Sequence, residues 1–347
     1  MRNATMSEIV QWFQETRPDL VYDMKQANHH NEETVIPSIN PYHIESDIFT
    51  HNMLVCKQAE KAPYRLKLAA LLHDIGKPST RSVNPKNGNV SFYNHDAVGA
   101  FMALEILKRP ELELTKEEQV RIFSLIALHT QIYKLSVEQL AAIGDKELVA
   151  DLIELGKYDH EGRFHSKGDA VIPTIEHIEG ISSLKRGTYW QLKEKEVVIL
   201  VGLPASGKST WAWENYINTN NNFSIISRDS FIEEVSGLTY SEKWQKADQN
   251  KINNLLEDRL RDVVKYPTVS TIVDMTHMSK KSRRKSLSHF GPEYKKKAVV
   301  FLTDLQTLSE RNSNREGKAI PQEVIEKMMR SFYLPTMEEI DEIEFII

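Results

Sequence analysis

Glu196-Val-Val-Ile-Leu-Val201-Gly202-Leu-Pro-Ala-Ser-Gly207-Lys208-Ser209-Thr210 is the stretch from which the carboxy half can be read. Val197 to Val201 is a short apolar, mostly β-branched run, the pattern of a fully buried strand. The loop after it satisfies G-x-x-x-x-G-K-S and opens a helix carrying Trp211 and Trp213. Strand, glycine loop and helix in that order form a phosphate cradle: the glycines let backbone N–H groups face the phosphates, and the helix N-terminus adds positive potential. Gly202, Leu203, Pro204, Ala205, Ser206, Gly207, Lys208, Ser209 and Thr210 are therefore the expected nucleotide contacts. Lys208 would reach the β- and γ-phosphates of ATP or another NTP, and the Ser209 hydroxyl would hold Mg²⁺. The competing reading is a glycine-rich turn without a ligand.

Further strands are predicted at Phe223–Ser227, Val269–Asp274 and Ala298–Leu302, with helical patterns such as Asp248–Val264 and Gln322–Phe332 around them. Such alternation implies an α/β unit with a parallel sheet. Upstream the pattern differs. From Met6 to about Ser183 the chain reads as helix: Leu66–Leu72, Ala97–Lys108, Glu117–Leu128, and Ser136–Leu155 broken at Gly144-Asp145. Thr115 with Glu118 three residues on predicts a capping box. The polar connection Lys185–Lys195 separates an all-α domain, 1–184, from an α/β domain, 196–347.

Length and charge limit the function. At roughly 100–200 residues per domain, 347 residues fit two domains. Asp and Glu total 49 against 44 for Lys and Arg, a formal charge of −5, which argues against nonspecific coating of long duplex DNA but allows short contacts with a nucleic acid end. Neither a membrane-spanning run nor a secretory leader is evident, and the single cysteine, Cys56, excludes a disulfide framework and a thiolate zinc cluster. The expected setting is cytoplasmic, with no membrane partner.

The acceptor half of the phosphate chemistry is sought at strand ends, which face the ligand crevice in open α/β sheets. Asp229, after Ser227-Arg228, can take a proton from an attacking hydroxyl or can serve as a helix N-cap. Arg311 and Arg315, four residues apart, can close over phosphates from one helix face, or form a solvated basic surface. On Gly202–Ser209, Ser227-Arg228-Asp229, Asp274-Met-Thr276-His277 and Arg311-Asn312 with Arg315, the carboxy half resembles the polynucleotide 5′-hydroxyl kinases. The resemblance implies a general base in Asp229, a helical lid bearing Arg315 and, less strongly, Arg311, and phosphate contacts at Asp274 and Thr276. His277, a further expected substrate contact in the same loop, stands where Asn is more frequent. Ile232 stands where some members carry an acceptor-binding Arg, which leaves Arg228 and the basic group Lys280, Lys281, Arg283 and Arg284 as acceptor-site candidates; Lys280–Lys285 and Lys295–Lys297 are candidate phosphate binders or solvated faces.

Ten of the twelve histidines lie at or before His177. His73-Asp74 ends the Leu66–Leu72 helix, with His51 22 residues before, His95 22 residues after, and His129 and Asp159 beyond. Imidazole and carboxylate donors suit divalent metals, and separate helices can each project one into a common centre. A lone histidine on an apolar helix face, such as His129 after Leu128, is more often a satisfied core residue. Together the residues resemble the HD-domain metal-dependent phosphohydrolases. The resemblance implies the ligands His51, His73, Asp74, His95, His129 and Asp159, a bridging role for Asp74, and phosphate contacts at His43 and Lys77. Asp169 is an alternative to Asp159. Two cations at such a centre, drawn from Mn, Ni, Co, Zn or Fe, suit phosphoester hydrolysis.

The two halves in one chain resemble the bifunctional HD-domain/polynucleotide-kinase end-healing enzymes. That resemblance implies hydrolysis of 2′,3′-cyclic phosphate and 2′- or 3′-phosphate ends, and transfer of the ATP γ-phosphate to 5′-OH ends of RNA or DNA. A separate ligase would then join the ends, since no Lys-x-Asp-Gly motif is present. Rival readings are an HD nucleotidase fused to a nucleoside or small-metabolite kinase, and a nucleotide-switched binding module.

Overall fold

Thr115 and Glu118 do exchange the two hydrogen bonds of a capping box, and the helix they open is central to the amino-terminal half of the computed structural model. The structure describes residues 1–32, 36–41, 43–45, 47–164, 195–217, 223–236, 249–265, 270–315 and 318–347. Two units are separable, 1–186 and 187–347.

The first unit consists of α1 Met6–Thr16, α2 Pro18–Gln26, α3 Ile48–Gln58, α4 Tyr64–Leu72, the short α5 Lys77–Thr80, α6 His95–Leu107, α7 Lys116–Leu128, α8 Val137–Ala141 and α9 Lys146–Glu161. A hairpin, β1 Arg81–Val83 with β2 Val90–Phe92, interrupts the helices, so the unit is helical with one small antiparallel pair. Three-residue strands carry too little periodicity to be seen in a sequence. Leu68, Leu72, Phe101, Leu104, Phe123 and Leu152 are buried in its core. One close approach sets the site. A Cβ on Gly76 would lie 2.3 Å from the His95 carbonyl and 2.6 Å from the Gly99 nitrogen, so only glycine lets the start of α6 seat against the turn after His73-Asp74.

The second unit is a five-stranded parallel sheet with helices. Its strands are β3 Lys195–Val201, β4 Phe223–Ser227, β5 Ser270–Asp274, β6 Tyr294–Phe301 and β7 Glu342–Ile346, in the order β4-β5-β3-β6-β7. Its helices are α10 Lys208–Ala212, continued as a π turn over Trp213–Ile217, α11 Arg228–Ser236, α12 Gln249–Lys265, α13 Lys280–Leu287, α14 Leu305–Ser313 and α15 Gln322–Arg330. Val197 to Val201 are fully buried in the central strand, as expected of a parallel sheet covered on both faces. β7 is an addition to the four predicted strands; its five residues are all half-buried, and it pairs at the edge with β6. The α/β reading is borne out. The connection assigned to 185–195 lies outside the described residues except for Lys195, which begins β3; Asp169 also lies outside them.

Candidate active sites

Five helices supply the six predicted ligands. His51 lies in α3, His73 caps α4 with Asp74 next to it, His95 begins α6, His129 caps α7, and Asp159 lies in α9. The two Asp74 oxygens divide the set. Oδ1 lies 3.2 Å from His95 Nε2 and 3.5 Å from His129 Nε2; Oδ2 lies 3.3 Å from His73 Nε2 and 3.5 Å from His51 Nε2. Asp159 Oδ1 completes the second side, 3.2 Å from His51 Nε2 and 3.9 Å from His73 Nε2.

Backbone carbonyls orient the imidazoles. The Nδ1 atoms of His73, His95 and His129 lie 2.8, 2.7 and 2.8 Å from the carbonyls of Ala70, Phe92 and Ile126, which places the proton on Nδ1 and turns each Nε2 inward. The inward His51 Nε2, His73 Nε2 and Asp74 Oδ1 are buried without a hydrogen-bond partner, and Asp74 Oδ2 is met by the Lys77 ammonium. Buried polar atoms left open in this way are where cations belong. Burial opposes ionisation of Asp74, yet His73 and Lys77 hold its carboxyl well below the usual range. Asp159 is likewise held low against burial, chiefly by Arg163, whose Nη2 donates to Oδ2 at 2.5 Å beside the Tyr133 hydroxyl at 2.9 Å.

Of the two predicted phosphate contacts, Lys77 Nζ lies 2.6 Å from Asp74 Oδ2, and His43 stands beside the centre, its ring 4.8 Å from that of His51. Burial and Lys77 push His43 down to about 3 despite its bond to Glu45. Sequence reasoning missed His29, Glu45, Tyr133 and Arg163. Glu45 and Arg163 lie within two to four residues of predicted site residues and carry charge, which is the one signal that could have marked them.

In the second unit the phosphate loop follows β3, with Ala205 and Gly207 both at positive φ, 63° and 95°. Residues Pro204 to Thr210, Arg228, Asp229, Asp274, Thr276, Arg311 and Arg315 line one cleft of about 600 Å³. The Ser209 hydroxyl donates to Asp274 Oδ2 at 2.5 Å, joining the loop to the end of β5. Lys208 Nζ donates to the Gly202 and Leu203 carbonyls, at 3.1 and 2.7 Å. Burial pushes this ammonium down to about 8, against the pull of Asp274 and Asp229.

A pH dependence follows. Above about pH 8 the free protein loses the Lys208 proton, and triphosphate oxygens favour its return, so nucleotide binding takes up a proton and affinity falls as pH rises through that range. Calorimetry at about pH 8.5 in buffers of differing ionisation enthalpy is expected to show proton uptake that Lys208→Met lacks. Equal proton uptake by both proteins would refute this.

Four expectations need correction. Asp229 is neither at the strand end nor an N-cap: β4 stops at Ser227, and Asp229 lies in the first turn of α11. Arg311 and Arg315 do not share a helix face, because α14 ends at Ser313; both nevertheless reach the cleft. His277 does not face a ligand. It is buried at φ 42°, its Nδ1 3.1 Å from the Leu200 carbonyl and its Nε2 2.9 Å from the Ser286 hydroxyl. Arg283 is fully buried, paired with Glu339 at 2.9 Å and donating to the Tyr333 carbonyl, so it braces the fold and cannot bind an acceptor. Of the other basic candidates, Lys280 pairs with Glu338, Lys285 with Glu257, Lys295 with Glu342, and Lys297 with Glu342 and Glu344.

Residues 44–168 match the HD domain family and residues 197–335 match the AAA domain family. Among curated proteins the chain is similar to the A-adding tRNA nucleotidyltransferase of Deinococcus radiodurans, 33% identical over 123 residues, which cover 33% of this chain and 27% of that protein. It is also similar to the CC-adding tRNA nucleotidyltransferase of Thermus thermophilus, 41% identical over 69 residues, 20% of this chain and 15% of that protein. Among solved structures it is similar to a Pnkp1/Rnl/Hen1 RNA repair complex chain, 25% identical, with TM-score 0.34, covering 43% of this chain and 46% of that one. The chain thus spans less than half the length of these relatives. Among the described residues no helix is long and apolar enough to cross a membrane.

The chain thus carries a helical region that matches the HD domain family, followed by a phosphate-loop α/β region that matches the AAA domain family. The second implies ATP with Mg²⁺ and the first implies divalent cations, which the open Nε2 atoms and Asp74 Oδ1 fit.

Proposed function

We propose that this chain heals broken nucleic acid ends, its HD domain clearing the 3′ side and its kinase-like domain phosphorylating the 5′ side. The observation that carries the reading is one chain holding both a six-donor centre shared through Asp74 and a phosphate-loop cleft faced by Asp229. Removing a phosphate and adding one are complementary at a strand break, where a 2′,3′-cyclic phosphate and a 5′-OH both block ligation.

On the 3′ side, His51, His73, Asp74 and Asp159, with His95 and His129 on the other side of Asp74, would hold divalent cations, which when bound would supply Lewis acidity for attack of water on the phosphoester. Lys77 and His43 contact phosphate oxygens. On the 5′ side, Asp229 accepts the hydroxyl proton, Lys208, Arg311 and Arg315 bear the charge of the transferring phosphoryl group, Ser209 and Asp274 would hold Mg²⁺, and Arg228 and Thr276 face the acceptor. RNA and DNA ends are both candidate substrates, and a separate ligase completes the repair. An oligonucleotide with a 2′,3′-cyclic phosphate and a 5′-OH, incubated with ATP and Mn²⁺, Ni²⁺ or Co²⁺, tests the whole reading. Phosphorylation of free nucleosides or sugars but not of the oligonucleotide would replace it with the metabolite reading.

Exposed apolar side chains next in sequence to residues of the HD centre support a nucleoside end. Ile44, Tyr93 and Phe164 are 50%, 73% and 59% exposed, and each adjoins in sequence a residue of the pocket: His43, Phe92 and Arg163. The Ile44 amide donates to the Phe164 carbonyl at 2.8 Å, which fixes two of these positions together. Stacking of a base on an aromatic ring is worth about 1–3 kcal/mol. Tyr93→Ala is expected to raise KM for the cyclic-phosphate oligonucleotide by roughly fivefold or more, leaving hydrolysis of bis(4-nitrophenyl) phosphate within about twofold. Equal effects on both substrates would remove Tyr93 from that role.

A further inference from the structure

Outside the six donors, His29, His43 and Glu45 form a third group whose ligand atoms lie within 4.8 Å of one another. All three lie against the HD centre. Glu45 Oε1 lies 2.8 Å from His43 Nδ1 and 3.0 Å from His51 Nδ1. The His43 and His29 rings stack, centroids 4.2 Å apart and planes 5° from parallel. His29 Nε2 lies 3.2 Å from Lys77 Nζ, which lies 2.6 Å from Asp74 Oδ2. Because Asp74 Oδ2 is in turn 3.5 Å from His51 Nε2, these six side chains close a ring.

The group has the composition of a cation site, but its geometry is wrong for one. Two parallel stacked imidazoles point their lone pairs along parallel planes and do not converge on a point between them. An ammonium is donor-only, so His29 Nε2, facing Lys77, is the acceptor. A cation there would have to expel Lys77 from His29. Glu45 Oε1 is already committed to two imidazoles.

We propose that His29 is a positioning residue of the HD centre, holding the Lys77 ammonium in place with the His43–Glu45 stack behind it, and that this group is not a third cation site. An ammonium has three N–H donors. Asp74 and His29 take two, and the geometry they fix aims the third at an oxygen of the phosphoester. Without His29, Lys77 answers to Asp74 alone and swings about that contact. The inference deepens the hydrolase half of the proposed function and rests on it.

The full chain, loaded with Mn²⁺, tests the inference by cation count and by a double-mutant cycle on bis(4-nitrophenyl) phosphate. His29→Ala is expected to keep the wild-type count of two ions per HD domain and to lower kcat by about 10–100-fold, the usual cost of an outer-shell partner. His29→Gln, whose amide oxygen can accept from Lys77, is expected to recover most of that loss. In a Lys77→Ala background, His29→Ala is expected to add little. Three ions in the wild type and two in His29→Ala would overturn the proposal in favour of a cation site; an undiminished kcat, or losses that add, would overturn it outright. If His29→Ala fails to retain metal, the same cycle with His29→Gln decides. Hydrolysis of the chromogenic ester without turnover of the oligonucleotide would count against end healing and not against His29.

Discussion

Asp74→Ala is expected to empty the HD centre of both cations and to lower cyclic-phosphate hydrolysis by more than about 100-fold, beyond what an outer-shell partner costs. Asp74 faces both donor groups, with Oδ1 at 3.2 Å from His95 and Oδ2 at 3.3 Å from His73. Replacing it leaves four imidazoles and Asp159 with no shared anion, so the positive charge of two ions goes uncompensated in a buried space. Metal content by mass spectrometry and 3′-end hydrolysis are expected to fall together. Phosphorylation of 5′-OH ends is expected to continue at the wild-type rate, because Lys208, Asp229 and Asp274 line a cleft in the other unit. A variant that kept two ions and its 3′ activity would show that the centre is assigned wrongly.

The second large effect belongs to Asp229. Asp229→Asn keeps the size and the helix position but cannot accept the hydroxyl proton, so 5′ phosphoryl transfer is expected to fall by about 10²–10⁴. ATP affinity, measured by calorimetry, is expected to stay within about threefold, since the phosphates are gripped by Gly202–Ser209 and Lys208. A rate within about tenfold of wild type would remove Asp229 from the role of base.

Much of this was legible because strand-loop-helix order and the His-Asp pair are local signals. The glycine loop needed only Val197 to Ser209, and the helix with its terminal His73-Asp74 needed only Leu66 to Asp74. Features that depend on distant partners were not legible. Glu342–Ile346 is a strand because β6 pairs with it, and its alternation is too short to stand out alone. Glu45 resembles any loop carboxylate until His43, His51 and the Phe164 amide surround it. Arg283 was misread for a different reason. The Lys280–Leu287 run is strongly basic, which suggests a solvated or ligand-facing surface, but Arg283, Ser286 and Leu287 recur at three and four residues and share the buried face. Periodicity outweighs composition there, because Glu339 and the Tyr333 carbonyl are available to a buried guanidinium.

The contact between Gly76 and the start of α6 reaches further than packing. His95 reaches Asp74 only while its own carbonyl can approach Gly76 to within the space a methyl would fill. The companion trio of His51, His73 and Asp159 is not among the atoms that such a methyl would first meet. Adding one carbon atom at position 76 is therefore expected to wedge His95 away from Asp74 and leave the trio in place, so that on the proposed reading the number of ions the centre holds depends on a missing side chain.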